Sequence, residues 1–396
     1  MKLKQILFYT TLPLLMFACE KSENIISKDG DTYSKGEYES SADDGLSNSE
    51  SNPNQAQAGV VTAGEWCDLN NWSFWGSLIN KQDYYTYTDN WSFYTNHRIA
   101  VRVTNNGTPV CGAKVQLKNN GTLVWTAITN NKGECNLWYS LFEKTSNTND
   151  DSLPLSISIN GTDQIGTPTI TAWKDEEVKW NEYSADASSV EGTDIAFIVD
   201  ATGSMMDEID FLKKDVQDII NRIEQKSNIR TAALFYRDED DEYLTRSHNF
   251  TSDISATAKF INEQDADGGG DWPEAVHTAF EKSLQELSWR DNARVKIAFW
   301  LLDAPPHAEA SVITSIQKSI KTYAAQGIRL IPIAASGIDK ETEILLRNYA
   351  IVTNGTYVFI TNDSGIGNDH IEATVGEYKV ELLNELMIRL INEYTE

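Results

Sequence analysis

The sequence has few basic residues for its length. Its 396 residues include 33 Lys and Arg against 59 Asp and Glu, which gives a formal net charge of −26 at pH 7. Nucleic acids and anionic membrane surfaces are themselves negatively charged, so this balance argues against both as electrostatic partners. The length is sufficient for two ordinary domains.

Signatures of common catalytic sites are also missing. The chain contains no G-x-S-x-G elbow, no H-E-x-x-H motif and no P-loop lysine, and its five histidines form no recognisable catalytic arrangement. The stretch "DADGGG" from Asp265 is similar to the Asp-x-Asp-Gly motif of haloacid dehalogenase-type phosphatases, but it follows a predicted helix instead of an apolar strand. We therefore expect a protein that is not an enzyme.

The chain begins with an export signal. In "MKLKQILFYTTLPLLMFAC", two lysines precede an apolar run that is too short for a comfortable membrane span, and Ala18 stands before Cys19. This ending resembles a bacterial lipobox, although Met16 and Phe17 depart from its preferred residues; the alternative is an ordinary signal peptide with an incidental cysteine. The resemblance implies that residues 1–18 are removed and that Cys19 is acylated.

Acylation of Cys19 would anchor the protein in the bacterial cell envelope. We expect the outer membrane, with the protein facing either the periplasm or the exterior, and membrane contact only through the lipid. Residues 19–62 are rich in Ser, Asn, Asp, Glu and Gly and nearly free of large aliphatic residues. Such a segment cannot bury enough apolar surface to fold, so we interpret it as a disordered acidic tether.

Cysteine is scarce, and an exported protein has access to an oxidising compartment. Apart from Cys19, the chain has Cys67, Cys111 and Cys135, which permit one disulfide. We expect Cys111 to pair with Cys135 because both lie in one strand-rich region. The spacing does not exclude Cys67 as a partner.

Residues 66–185 consist of short β-prone runs separated by turn residues. Alternation in segments such as "AKVQLK" predicts strands with one buried face, and the region as a whole predicts an all-β sandwich. "NNGTPVCGAKVQL" and "TAITNNKGECNLWY" resemble carboxypeptidase regulatory-like and bacterial immunoglobulin-like sandwiches. The aromatic residues between Trp66 and Tyr94 are either a carbohydrate-stacking platform or core packing, and we favour core packing.

Residues 190–396 show a different pattern, in which apolar strands alternate with amphipathic helices. "DIAFIVD" and "VKIAFWLLD" are continuous apolar runs, as expected for parallel strands covered on both faces, and the helix after Met205 has apolar residues at three- and four-residue steps. This alternation predicts an α/β doubly wound, mainly parallel sheet.

Acidic residues close two of these strands. Asp200 ends the first strand and Asp303 ends "VKIAFWLLD", while the loop "GGGDWPEA" carries Asp271 and Glu274. Ligands of doubly wound sheets bind at the carboxyl ends of the strands, so these oxygens are expected to converge. Oxygen ligands without His or Cys favour Mg²⁺ or Ca²⁺.

Four motifs together resemble a von Willebrand factor type A (VWA) domain, a Rossmann-like fold. They are "DATGSM", "GGGDWPEA", "LLDAPPH" and "TNGTYVFITNDSGIGNDH", and the resemblance covers about residues 190–396. The metal-ion-dependent adhesion site (MIDAS) of this family has an Asp-x-Ser/Thr-x-Ser motif and an Asp from a third loop. The resemblance assigns these positions to Asp200, Thr202, Ser204 and Asp303.

The second loop departs from the family pattern, in which many members place a Thr. We expect Asp271 to substitute for it, with Glu274 as the alternative. An additional carboxylate would neutralise the ion further, so the choice between Mg²⁺ and Ca²⁺ stays open.

The resemblance implies metal-dependent adhesion or protein binding, with a protein or matrix ligand that presents an acidic group. One alternative is a scaffold of an envelope complex in which the metal is purely structural, and a metal-dependent hydrolase ranks last. For Asp200, Thr202 and Ser204, the competing interpretation is a helix cap. We interpret the acidic run "RDEDDEY" from Arg237 as a solvated loop, with a second calcium site as the alternative.

Overall fold

The computed structural model describes residues 59–144, 153–175, 177–223, 228–239, 241–270, 272–365 and 370–396. The predicted signal segment, Cys19, most of the predicted tether and Asp271 lie outside these ranges. Residues 54–396, which include both predicted folded regions, belong to one compact unit.

The first part of the chain contains two helices among short strands. In chain order, its elements are β1 (Thr62–Trp66), α1 (Trp72–Ile79), α2 (Gln82–Trp91), β2 (Arg98–Asn105), β3 (Thr108–Pro109), β4 (Lys114–Asn119), β5 (Thr122–Ile128), β6 (Glu134–Trp138), β7 (Leu155–Ile159), β8 (Thr162–Asp163) and β9 (Trp180–Ser184).

The second part alternates strands and helices, as predicted. Its elements are β10 (Thr193–Asp200), a 3₁₀ helix (Gly203–Asp207), α3 (Ile209–Ile223), β11 (Ile229–Tyr236), β12 (Thr245–Thr251), α4 (Ile254–Asn262), α5 (Val276–Gln285), β13 (Val295–Leu302), α6 (Ala310–Gln326), β14 (Ile328–Ala334), α7 (Lys340–Val352), β15 (Tyr357–Ile360), a second 3₁₀ helix (Asn362–Ser364), β16 (Glu381–Leu382) and α8 (Leu383–Thr395). Over the ranges that the structure describes, none of the helices combines the length and the apolar composition that a bilayer span requires.

The large sheet has the strand order β12-β11-β10-β13-β14-β15-β1-β16. The pairs from β11 to β15 are parallel, whereas β12, β1 and β16 pair antiparallel with their neighbours, so the sheet is mixed. Every residue of β10 and β13 is buried, because helices cover both faces of the sheet. The predicted α/β fold is confirmed, with antiparallel strands at both edges.

Two helical layers cover the large sheet. Helices α3, α4 and α8 lie on one face, where they share a core with Phe197 and Val199 of β10. Helices α5, α6 and α7 lie on the other face with Ile198 and Trp300. The smaller sheets pack on this second layer, where β5 contacts α6 and β6 contacts α7.

Strand β1 does not lie where the predicted domain boundaries placed it. It pairs with β15, with Ala63 opposite Ile360, and therefore belongs to the large sheet. The chain thus begins its described part in the α/β sheet, forms the smaller sheets and then returns at β10. The predicted boundary near residue 66 differs because β1 is short and its pairing depends on residues almost 300 positions away.

The region 66–185 is not all-β, because α1 and α2 precede the small sheets. Its strands form one sheet of β3, β2 and β6 with β9 beside β2, and a second sheet in the order β5-β4-β7-β8. Helix α1 buries Trp72, Trp75 and Leu78 at helical spacing. This burial agrees with core packing of the aromatic segment and leaves these rings unable to serve as a sugar platform.

The predicted disulfide between Cys111 and Cys135 is absent, since both are free thiols, as is Cys67. Cys135 lies in β6 opposite Val101 and is 1 % exposed within the core, where burial raises the pKa of its thiol. Cys111 lies in the turn after β3, and its thiol donates to the carbonyl of Arg294 over 3.6 Å. The two side chains therefore have different environments, which proximity in sequence did not reveal.

Candidate metal centre

The first loop of the centre follows β10. Asp200 ends this buried strand, and its Oδ1 accepts hydrogen bonds from the backbone N–H of Thr202 over 3.0 Å and from its hydroxyl over 2.7 Å. Ser204 Oγ lies 3.2 Å from Thr202 Oγ1. Thr202 precedes the 3₁₀ helix without capping it through its side chain. The three predicted oxygens thus lie together, and the helix-cap interpretation finds no support.

The third loop begins at the neighbouring strand. Because β10 and β13 are parallel and adjacent, with Val199 opposite Leu301, their carboxyl ends reach the same edge of the sheet. Asp303 follows β13 directly and is 3 % exposed. Its Oδ1 has no hydrogen-bond partner among the described residues. Asp303 therefore lies beside Asp200 with a free oxygen.

The glycine-rich second loop lies against the first. The backbone N–H of Gly203 donates to the carbonyl of Gly268 over 3.1 Å. Gly268 and Gly269 have φ angles of 81° and 74°, and a Cβ at Gly268 would overlap the carboxylate of Asp241. That carboxylate accepts from Gly269 N–H over 2.9 Å. Only glycine therefore permits this path.

The same loop brings Glu274 to the centre. Its backbone N–H donates to the carbonyl of Pro305 over 2.9 Å, which fastens the second loop to the third. Glu274 is 2 % exposed, and its Oε2 has no hydrogen-bond partner among the described residues. The structure therefore places Glu274, the alternative second-loop residue, with Asp200 and Asp303. Asp271 lies outside the described residues and stays a prediction.

Burial and mutual repulsion make this group of carboxyl groups difficult to ionise. Burial raises the pKa of Asp200 to about 6. Burial, followed by the charge of Asp200, raises the pKa of Asp303 to about 8 and that of Glu274 to about 9. Neighbouring hydroxyl groups act in the opposite direction but do not compensate. The group therefore lacks positive charge, which a divalent cation would supply.

The residues present fit a hard divalent cation. Asp200, Glu274 and Asp303 each have one buried oxygen without a hydrogen-bond partner, and Thr202 and Ser204 add hydroxyl oxygens. Such oxygen-only donors suit Mg²⁺ or Ca²⁺. Within the described ranges, no three His, Cys, Asp or Glu side chains converge closely enough to hold an ion alone. An ion here would consequently need the hydroxyl groups, or Asp271, as further ligands.

Sequence reasoning missed two residues that support the loops. Asp241, from the acidic run interpreted as solvated, holds the glycine loop, as described above. Glu208 is 1 % exposed, accepts from Ser336 N–H over 3.1 Å and lies 2.7 Å from His370 Nε2. It thereby connects the first loop to the segment after β15. Glu208 lies four residues before Leu212, at the spacing of the buried apolar face of α3, and this spacing was the available signal in the sequence.

Comparison with known proteins supports the family resemblance over part of the chain. Residues 194–344 match the family model for the von Willebrand factor A domain. An ariadne-like RING finger protein of Acanthamoeba polyphaga mimivirus is 35 % identical over 130 residues, which are 33 % of this chain and 13 % of that protein. The alpha-protein kinase vwkA of Dictyostelium discoideum is 29 % identical over 138 residues, 34 % of this chain and 21 % of that protein.

The chain thus spans about a fifth or less of the length of these two relatives. Among solved structures, an aerotolerance-related membrane protein of Bacteroides fragilis matches with 13 % identity and a TM-score of 0.35, over 51 % of this chain and 98 % of that one. Proximal thread matrix protein 1 of the mussel byssus, described with a zinc-occupied MIDAS motif, matches with 17 % identity and a TM-score of 0.34, over 41 % of this chain and 40 % of that one. The family match supports a von Willebrand factor A domain within residues 194–344.

Proposed function

We propose that this protein is an exported bacterial lipoprotein whose VWA domain binds Mg²⁺ or Ca²⁺ at a MIDAS-type site and mediates metal-dependent protein binding. The observation that supports this function is the convergence of three loops on buried carboxyl oxygens that have no partner. Burying carboxylates without a partner costs free energy, and a cation from outside the chain would offset this cost.

The chain's own residues have distinct roles in this proposal. Asp200, Glu274 and Asp303 provide negative charge, and Thr202 and Ser204 provide neutral oxygens that also orient Asp200. The glycine loop, held by Asp241, keeps Glu274 near Asp200. A bound cation would supply an electrophilic position that an acidic group of a partner protein or matrix can occupy.

Metal binding and partner binding can be tested together on the full chain. Isothermal titration with Mg²⁺ and with Ca²⁺ measures cation affinity, and affinity capture from envelope extracts, with and without chelator, measures partner binding. We expect Asp200→Ala to abolish both. Asp163→Ala is the matched control, because Asp163 is an exposed carboxylate of β8. Unchanged cation and partner affinity in Asp200→Ala would refute the proposal.

The second-loop ligand can be identified by the same titration. Glu274→Gln should weaken cation binding strongly if Glu274 is a ligand, since its carboxylate is buried with Asp200 and Asp303. Asp271→Asn should have the larger effect if Asp271 is the second-loop ligand, as the sequence predicts. If both variants bind the cation as the unmodified protein does, the second loop contributes no carboxylate ligand.

A scaffold role with a purely structural metal is the second candidate. It is favoured by the burial of Glu274, because a third carboxylate neutralises the ion further and weakens its attraction for an acidic partner. In this case the metal stabilises the fold without contributing to partner affinity. A partner that stays bound to folded protein after chelation would favour this role over adhesion.

The lipid anchor and the envelope location belong to the same proposal. They rest on the lipobox-like ending at Cys19, and we place the protein at the outer membrane. Metabolic labelling with a radiolabelled fatty acid should mark the unmodified protein but not Cys19→Ser, which should also leave the membrane fraction. Labelling of Cys19→Ser at the unmodified level would exclude this anchor. Enzymatic activity is not part of the proposal.

A further inference from the structure

A cleft of about 360 Å³ lies between the small sheets and the α/β part of the chain. Strands β2, β6 and β9 supply one side, and the end of β1, the turn after α7 and helix α8 supply the other. This volume lies within the range of small-molecule pockets, about 300–1,000 Å³. The cleft is separate from the candidate metal centre in its lining residues.

The charged side chains that line the cleft differ in whether they form an ion pair. Each carboxylate that lines it has a cationic partner: Glu65 with Arg389 at 2.8 Å, Glu134 with Arg102 at 2.8 Å, and Glu393 with Lys132 at 3.5 Å. The guanidinium of Arg98 also lines the cleft, and no carboxylate of the described residues forms an ion pair with it. Arg98 is therefore the unbalanced charge.

Arg98 is deeply buried for an unpaired cation. Its residue is 2 % exposed, its Nε donates to Asn136 Oδ1 over 2.7 Å and its Nη1 donates to the carbonyl of Leu69 over 2.8 Å. Its Nη2 makes no hydrogen bond to any residue that the structure describes. Burial lowers the pKa of Arg98 to about 10. Both hydrogen-bond partners are neutral, and the guanidinium lies 4.8 Å from the ring centre of Trp72, so no carboxylate of the described residues pairs directly with its charge.

Further unused donors line the same cleft. Thr356 is 2 % exposed, and its hydroxyl has no hydrogen-bond partner among the described residues. Asn354 accepts through Oδ1 from the side-chain Nδ2 of Asn136 over 2.7 Å, which fixes the orientation of its own amide. The indole of Trp180 adds an aromatic wall, with Arg102 stacked 4.5 Å from the ring centre.

We propose that this cleft binds a small molecule bearing an oxyanion, a carboxylate or a phosphate, which pairs with Arg98. The hydroxyl of Thr356 and the amide of Asn354 donate to the same ligand, and Trp180 contacts its apolar part. A guanidinium matches the geometry of both oxyanions, and the ligand would supply the negative charge that pairs with Arg98. The ligand is independent of any cation at the metal centre.

Isothermal titration of the full chain without added divalent cation tests this proposal, because a cation at the metal centre would itself attract an oxyanion. The probes are glucuronate, its uncharged counterpart glucose, and inorganic phosphate. We expect saturable binding of at least one oxyanion and none of glucose. Tighter binding of glucuronate would indicate an organic acid, and tighter binding of phosphate would indicate a phosphate compound or the free ion.

Variants of the cleft identify the binding residues. Arg98→Lys should weaken oxyanion binding about tenfold or more, because a lysine cannot form the same paired hydrogen bonds. Thr356→Val removes only a hydroxyl group and should weaken binding several-fold. Lys321→Gln, a loss of one positive charge on α6 outside this cleft, is the matched control and should bind as the unmodified protein does.

Two results would overturn the proposal. The first is the absence of saturable binding of glucuronate and phosphate up to about 10 mM, a concentration that detects even millimolar affinities. The second is unchanged affinity in folded Arg98→Lys, with folding checked by circular dichroism. Should Arg98→Lys fail to fold, unchanged affinity in Thr356→Val would count against the cleft in the same way.

Discussion

Two groups of buried carboxylates in this molecule differ in what neutralises them. Asp68 and Glu343 surround Arg347, whose guanidinium donates to both oxygens of Asp68 over 2.8 and 2.6 Å. Asp200 and its neighbours at the carboxyl ends of β10 and β13 are equally buried, but no cationic side chain of the described residues pairs with them. The first group is complete within the chain, whereas the second requires a cation from outside.

A further buried carboxylate also has cationic partners within the chain. Asp194, at the opposite end of β10 from Asp200, is fully buried and pairs with Arg230 at 2.6 Å and with Arg290 at 2.7 Å. The carboxylate at one end of β10 therefore has cationic partners within the chain, whereas the carboxylate at the other end has none among the described residues. An unpaired set at the ligand-binding edge of the sheet is the expected arrangement for a metal site.

The largest expected effect comes from breaking the complete group. Arg347→Met would leave Asp68 and Glu343 buried without their cation, which should lower the free energy of unfolding by about 3–5 kcal/mol. Urea denaturation of the full chain measures this loss. Arg222→Met is the control, because its pair with Glu385 is exposed and should contribute about 0–1 kcal/mol. A similar loss in both variants would contradict the comparison.

The incomplete group should respond to an added cation. At about 100 times its dissociation constant, Mg²⁺ or Ca²⁺ should raise the free energy of unfolding by about 2.7 kcal/mol. Denaturation with the cation and with chelator measures this difference. Asp303→Asn should lose most of the increment, while Arg347→Met should retain it in spite of its lower stability. If Asp303→Asn gains as much as the unmodified protein, the cation binds elsewhere.

In the absence of a cation, stability should fall as pH rises from about 4 to about 9. The folded-state pKa values of Asp200, Asp303 and Glu274 are raised to about 6, 8 and 9, above the unfolded values near 4. The folded state consequently holds more protons than the unfolded state in this window, so the free energy of unfolding is highest below it and decreases through it. We expect a decrease of several kcal/mol, since each unit of pKa shift corresponds to about 1.4 kcal/mol.

The cation should reduce this pH dependence, because it requires ionised ligands and competes with protons. A part should remain, since burial also raises the pKa of Asp215, which is not one of the proposed ligands, to about 7. Glu274→Gln should reduce the dependence in chelator, since it removes the group with the highest pKa. Denaturation at several pH values, with and without chelator, tests both expectations. A metal-free protein whose stability rises between pH 5 and pH 9 would show that another group of the chain compensates the carboxylates.

Local sequence pattern predicted the parts of the fold that depend on local burial. The continuous apolar runs of β10 and β13 predicted parallel strands, and the aspartates at their carboxyl ends, Asp200 and Asp303, predicted the first and third loops of the site. Strand β1 was not predictable in this way, because "TAGEW" carries no apolar run and its place is fixed by pairing with β15. Helix α1 was missed because its aromatic segment was included in a region predicted to be all-β, although Trp72 and Trp75 have helical spacing.

The second loop shows where sequence reasoning about the site ends. Asp271 and Glu274 are both acidic and lie in one glycine-rich loop, so residue type alone could not choose between them. The hydrogen bond from Glu274 N–H to the carbonyl of Pro305 fixes the backbone path at Glu274, whereas Asp271 lies outside the described residues and stays a prediction. Likewise, the role of Asp241 requires contact between loops almost 30 residues apart.

The smallest expected effect separates the hydroxyl oxygens from the carboxylates. Ser204 lies 3.2 Å from Thr202 and interacts with Asp303, where it acts to lower the pKa of that carboxyl group. Ser204→Ala removes one neutral oxygen and no charge, so it should weaken cation binding by about 1 kcal/mol and leave the metal-free stability almost unchanged. Isothermal titration and denaturation in chelator measure these two quantities. A large loss of metal-free stability would instead mean that Ser204 is part of the fold's own hydrogen bonding, as the residues around Arg347 are, and that the carboxylates alone hold the cation.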